Sequence, residues 1–252
     1  MQVYLAVSPG QVRDASRYTR SFAHVAYRIG TDSTLLRQNL LIQSQGGLLA
    51  LSDREAPEVG APERLTAALM RECSRRGYGG VVLDFEEPPR GDLQMMVSLL
   101  ARQRGRLALY VPEQYASAAP SAAVLIGTAI SGGDFQQYLR DAAERLGPGR
   151  LALDLERLTM DFPLPCPKGQ GRPMSREEFD QLMRRESPPV FFSQSLCARY
   201  FTYSQEGSHH FILFDDADTL SQKLRIGREL GATAVLMQYP EVSDLLGQLF
   251  RH

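Results

Sequence analysis

The chain has 252 residues, 43% of them hydrophobic and 23% charged, with a net charge of -1 at neutral pH. This is the composition of a soluble globular protein with a substantial core, and without a Lys/Arg block interleaved with aromatics it argues against nucleic acid or an anionic membrane as partner. The three cysteines, Cys73, Cys166 and Cys197, are odd in number and match no metal-ligand spacing, so neither a disulfide framework nor a cysteine metal site is expected.

The opening MQVYLAVSPG has no basic flank, long apolar core or small-residue cleavage site. It reads as a strand rather than a leader or anchor, which makes the cytoplasm the expected location. Residues 3–7 form this strand, ended by the turn Ser8-Pro9-Gly10. A short polar helix over 12–20, a second strand over 24–29 and a helix over 35–44 are expected next. A third strand, 47–51, ends at Ser52-Asp53. Residues 62–76 read as an amphipathic helix, with Leu65, Leu69 and Met70 on one face and Arg and Glu opposite.

That helix leads into GYGGVVLDFEEPP, the most informative stretch of the chain. An apolar strand over 80–83 runs into Asp84-Phe85-Glu86 before two prolines stop it. Side chains alternate along a strand, so Asp84 and Glu86 project from the same face. Two carboxylates at the mouth of an apolar strand are costly to bury, although a random pair of this kind is most often a loop salt bridge.

Further on, the pattern predicts a helix over 93–104, a fifth strand over 107–111 and a sixth over 123–128. A helix over 135–146 stops at Gly147-Pro148-Gly149, and a seventh strand covers 150–155. The stretch 159–207, rich in Pro, Arg and Ser, reads as an irregular insertion with one helix candidate over 175–185. A short strand over 211–214, a helix over 219–230, an eighth strand over 232–237 and a last helix over 242–250 complete the chain.

Eight short apolar strands alternating with helices argue for an α/β fold, a (β/α)8 barrel in one domain with the insertion between strands seven and eight. A doubly wound sheet would usually place a Gly-rich phosphate loop after its first strand, where this chain has SPGQVRD. Barrel enzymes carry their chemistry at the C-terminal strand ends. Those ends hold Ser8, Ser52, Asp53, Asp84, Glu86, Glu113, Ser131, Glu156, Tyr239 and Glu241. Carboxylates dominate. Histidines are few: His24 begins a strand and reads as structural, and His209 and His210 belong with the insertion. No metal centre is expected, and a carboxylate-lined mouth suits a hydroxyl-rich ligand such as a sugar.

With the strands placed, GGVVLDFEEPP resembles the DGxDxDxE signature strand of glycoside hydrolase family 18, the chitinase-like barrels. Gly79 and Gly80 fill the D-G pair, Val82 the middle acid position, and Asp84, Phe85 and Glu86 the final D-aromatic-E. The segment FDDADTLSQKLRIGRELGATAVLMQYPEV resembles the family's closing stretch through Phe214, Asp215, Asp216, Thr219, Lys223 and Gly231. HVAYRIG and LALYVPE resemble its second and fifth strands, and the likeness is greatest to compact bacterial members tied to spore and peptidoglycan hydrolysis. The family's Trp in the last strand is missing, with Met237 or Gln238 in its place, and VLIGTAIS lacks the sixth-strand Met-x-Tyr-Asp.

The resemblance implies substrate-assisted, retaining hydrolysis of N-acetylated glycans without a cofactor. Glu86 is then the general acid, and Asp84 orients the substrate acetamide and stabilises the oxazolinium charge. Phe85, Glu113, Gln238, Tyr239 and Glu241 are the candidate substrate-binding residues. Two other functional readings stay open beside a purely structural role. One is a catalytically impaired carbohydrate-binding or interaction barrel. The other is a two-carboxylate hydrolase whose second acid comes from Glu113, Asp154, Glu156 or Glu241, because LALDLE echoes VVLDFE.

Overall fold

The computed structural model describes residues 1–38, 46–166, 171–205 and 207–250. Eight parallel strands close into a ring: β1 (Gln2–Val7), β2 (Phe22–Gly30), β3 (Leu48–Ser52), β4 (Gly80–Asp84), β5 (Ala108–Pro112), β6 (Ala123–Gly127), β7 (Leu151–Leu155) and β8 (Ala234–Gln238). Each pairs with its neighbours, and β1 closes the ring by pairing with both β8 and β2. This is the expected (β/α)8 barrel, with the insertion leaving between β7 and β8.

Alternation along each strand divides the core in two. Inward positions, among them Ala50, Val82, Tyr110, Leu125, Ala152 and Leu236, fill the barrel interior. Small alanines leave room for Tyr110, whose ring meets that of Tyr4 edge-on at 5.9 Å. Outward positions such as Leu49, Leu83 and Leu153 pack against the helices. At the foot of β4 a side chain on Gly80 would place its Cβ 2.5 Å from the Ala108 carbonyl oxygen, so close strand approach requires glycine there.

The outer layer consists mainly of α1 (Pro62–Arg76), α2 (Gly91–Gln103), α3 (Phe135–Leu146) and, after the insertion, α5 (Ala217–Glu229), with α4 (Arg176–Glu186) inside the insertion. Leu65 and Leu69 of α1 are fully buried and Met70 is half-buried. Three expected helices are corrected. The one over 12–20 is a single turn, Val12–Ala15, where the Ser16 hydroxyl donates to the Arg13 carbonyl as the helix ends. That over 35–44 is, in its described part, a strand: Thr34–Arg37 turns back antiparallel on β2, and residues 39–45 lie outside the described residues. That over 242–250 is two turns, Tyr239–Val242 and Leu246–Leu249.

The insertion is regular, which corrects the irregular reading. Strands Thr159–Leu164, Arg172–Pro173, Phe191–Ser193, Ala198–Gln205 and Ser208–Phe214 form an antiparallel sheet, so the expected strand over 211–214 is part of it and the insertion runs past residue 207. Phe201, Ile212 and Phe214 face α4, packing on Leu182 and Phe179. Leu213 and Ala198 face the other way, toward Leu158 and Ala129 of the barrel loops.

Candidate active site

Strand β4 delivers Asp84 in register with Ser52, at the C-terminal mouth of the barrel. Two residues on, Glu86 projects from the same face and is exposed. Both line a cavity of about 410 Å3 together with Pro112, Leu125, Leu236 and Gln238, and with three further carboxylates: Asp154, Glu156 and Glu241. The site thus has acid pairs on two strands, β4 and β7, each made by one turn of strand alternation.

The loop that carries Glu86 is tied down from three sides. Asp53, 1% exposed, accepts the Glu86 backbone N–H through Oδ1 at 3.0 Å. The Gln114 side chain donates to the Phe85 and Glu87 carbonyls. Arg90 donates to the carbonyls of Ala56 and Pro57, and Asp92 accepts the Val59 N–H at 2.7 Å, which stitches the β3 loop to the start of α2. An acid on so fixed a backbone spends little entropy when a ligand arrives.

The same crowding moves proton affinities. Burial, with Glu86 and Asp53 nearby, pushes Asp84 up to about 6. Burial, with Glu156 and Asp84 as the leading neighbours, pushes Asp154 up to about 7. Glu156 is raised too, by burial and then by Glu241. Asp154 Oδ1 is shielded from solvent and has no hydrogen-bond partner. The Glu156 carboxylate leans over the end of β6, where a Cβ on Gly127 would lie 3.1 Å from Oε2.

Of the seven residues expected from the sequence, Asp84, Glu86, Gln238 and Glu241 meet in the cavity with their side chains on the mouth. Phe85 borders it, but its ring packs outward, edge-on to Tyr115 at 5.5 Å. Glu113 stands outside the lining, paired with Arg145 of α3. Tyr239 is also outside, packed against the outer core. At the end of β8, Met237 is buried outward and Gln238 faces the cavity. The β3-end Asp53 is a supporting group that strand-end counting finds, but its role is not visible in the sequence because its partner is a backbone N–H.

Asp215 and Lys223 form a buried pair at 2.8 Å that joins α5 to the mouth. Lys223 also donates to the Thr128 carbonyl at the end of β6, and Asp215 accepts from the Leu158 N–H beyond β7 and from Thr219. His24 is buried between Phe22 and Tyr78, far down β2, and burial lowers it to about 4.

No protein-family model matches the chain, and no curated sequence does either. Solved structures do. A chitinase from Chromobacterium violaceum superposes with a TM-score of 0.74 at 14% identity, over 98% of this chain and 97% of that one. The spore cortex-lytic enzyme SleL of Bacillus cereus gives 0.69 at 15% identity, over 99% of this chain and 74% of that one. A Cycas revoluta family GH18 chitinase solved with (GlcNAc)3 gives 0.67 at 14% identity, over 99% and 98%. In fold, the chain is a chitinase-like (β/α)8 barrel of the kind seen in glycoside hydrolase family 18.

Proposed function

We propose that the protein is a glycoside hydrolase acting on glycans that contain N-acetylglucosamine, of chitin or peptidoglycan type, by the substrate-assisted retaining route. The observation that carries this reading is the β4 acid pair: Asp84 and Glu86 enter one cavity at the barrel mouth, on a loop fixed by Asp53 and Gln114. The likeness in fold to chitinases and a spore cortex-lytic enzyme supports it.

In this mechanism the exposed Glu86 protonates the glycosidic oxygen as the bond to the anomeric carbon breaks. The carbonyl oxygen of the sugar's own acetamide attacks that carbon and forms an oxazolinium. Asp84, one position deeper, accepts the acetamide N–H and faces the positive charge that develops. Glu86, now a carboxylate, takes a proton from the water that opens the ring, so the acid is restored and the configuration retained. The negative charge of Asp84 beside the reacting sugar favours a cationic intermediate over a neutral substrate, which is the condition for lowering the barrier.

The test is turnover of chromogenic N-acetylglucosamine oligosaccharides and of peptidoglycan fragments. Glu86→Gln is nearly isosteric but cannot deliver a proton, so activity should fall about a hundredfold to ten-thousandfold with the circular dichroism unchanged. A second reading is favoured by Gln238, since the cavity has no aromatic floor at the end of β8 and the chain no Trp at all. Binding of these oligosaccharides without wild-type turnover would assign the protein to that reading, a carbohydrate-binding barrel.

A further inference from the structure

The acid pair on β7 has no task in the chemistry of β4. Asp154 and Glu156, with Glu241, line the same cavity as Asp84 and Glu86, and its lining contains no Lys, Arg or His. The cations near this wall are already paired. Lys223 is buried against Asp215 and the Thr128 carbonyl, its charge still felt at Glu156. The Arg157 guanidinium is paired with Asp244 and donates to the Glu241 carbonyl, while the Arg157 backbone N–H donates to the Glu241 carboxylate. A buried carboxylate normally finds a donor, yet Asp154 Oδ1 has none although it is out of solvent. Among the described residues no three acidic, His or Cys side chains are grouped to hold a metal ion.

Such a wall is complementary to a ligand that brings positive charge and several donors. A carboxylate is acceptor-only. An acetamide offers it one N–H, no charge, and a carbonyl oxygen that faces acids unfavourably. A free amine on the same sugar carbon is an ammonium with three donors. We propose that the cavity wall formed by Asp154, Glu156 and Glu241 takes a glucosamine-type sugar with its amine free, so that the preferred substrate is a partly de-N-acetylated glycan. The acetamide-bearing sugar lies against Asp84 and its ammonium-bearing neighbour against the β7 pair. The inference rests on the glycan-hydrolase reading and narrows its substrate class. It also explains the orphaned oxygen: Asp154 gives up its proton when a cation arrives and accepts its N–H instead.

The experiment is calorimetric binding of two tetrasaccharides, fully N-acetylated and fully de-N-acetylated, to the Glu86→Gln protein at low salt. The glucosamine tetramer should bind about tenfold tighter or more, the worth of one charge-assisted hydrogen bond. Its affinity should fall as salt is raised, because charge pairing is screened. Its binding should also release protons, read as a heat that depends on the ionisation enthalpy of the buffer. Asp154→Asn and Glu156→Gln should erase the preference, the affinity for the glucosamine tetramer falling to that for the N-acetylated one or below. Equal or tighter binding of the N-acetylated tetramer would overturn the inference and leave the hydrolase reading intact. A preference that survives both substitutions would overturn it as well. Binding of neither tetramer would remove both readings together.

Discussion

Asp53 sets where Glu86 stands. A carboxylate that is 1% exposed has given up its water, and burial raises its proton affinity despite the backbone N–H groups of Glu86 and Glu87 that it accepts. Asp53→Ala removes the acceptor and frees the acid loop. A misplacement on the order of 1 Å costs about a hundredfold, so kcat should fall by that order with KM little changed. Asp53→Asn keeps an acceptor oxygen and should recover most of the loss. It also removes a charge that raises Asp84, so the acidic limb of the pH-rate profile should move to lower pH. A fall in KM-governed binding alone, with kcat intact, would contradict this positioning role. At this scale the sequence was legible wherever alternation decides the matter: DFE and LDLE each place two acids on one face. It placed Asp53 at a strand end but was silent on its role, because its partner is a main-chain group 33 residues away. It misled at Tyr239 and Glu113, because a residue just past a strand end can turn out to the helix layer or to a salt bridge.

The elements around the mouth are joined by the Asp215–Lys223 pair, which has both side chains fully buried. It links α5, the loop after β6 and the exit of β7, and thereby the insertion to the barrel. Lys223→Met leaves Asp215 as an uncompensated buried charge and should destabilise the fold by about 3–5 kcal/mol in chemical denaturation. The double substitution Asp215→Asn/Lys223→Met removes that charge and should lose less than the single one; a larger loss would mean that the pair acts through packing alone. The barrel strands were readable because each is a short apolar run closed by turn residues. The hairpin at Thr34–Arg37 was not, since TLLR suits a helix as well as an edge strand and only its pairing with β2 decides. The insertion was masked by its Pro and Arg content, although ARYFTYSQ followed by HHFILF carries the alternation of a hairpin.

For the molecule as a whole, the acid mouth trades stability for function. Asp84 and Asp154 hold protons more tightly folded, at about 6 and about 7, than they would unfolded, where a carboxylate titrates near 4. Between about pH 4 and 7 the folded state therefore binds more protons, and this contribution to stability is present at low pH and lost as pH rises. His24, lowered to about 4 by burial, acts in the opposite sense, its contribution fading as pH falls below the unfolded value. Asp154→Asn removes one of the acids and should raise Tm at pH 8 by about 2–4 °C for each 1 kcal/mol recovered, with little change at pH 4. An unchanged Tm at both pH values would mean that the carboxyl is well solvated. On the proposed hydrolase reading, one question concerns the whole molecule, which is whether the β4 pair does the chemistry with the substrate's acetamide or the β7 pair does it with water. The anomer formed in the first minutes of cleavage of a β-linked N-acetylglucosamine oligosaccharide, followed by proton NMR before mutarotation, decides it. The account predicts the β-anomer, retained through the oxazolinium on Asp84; first appearance of the α-anomer, the mark of direct attack by water, would contradict it.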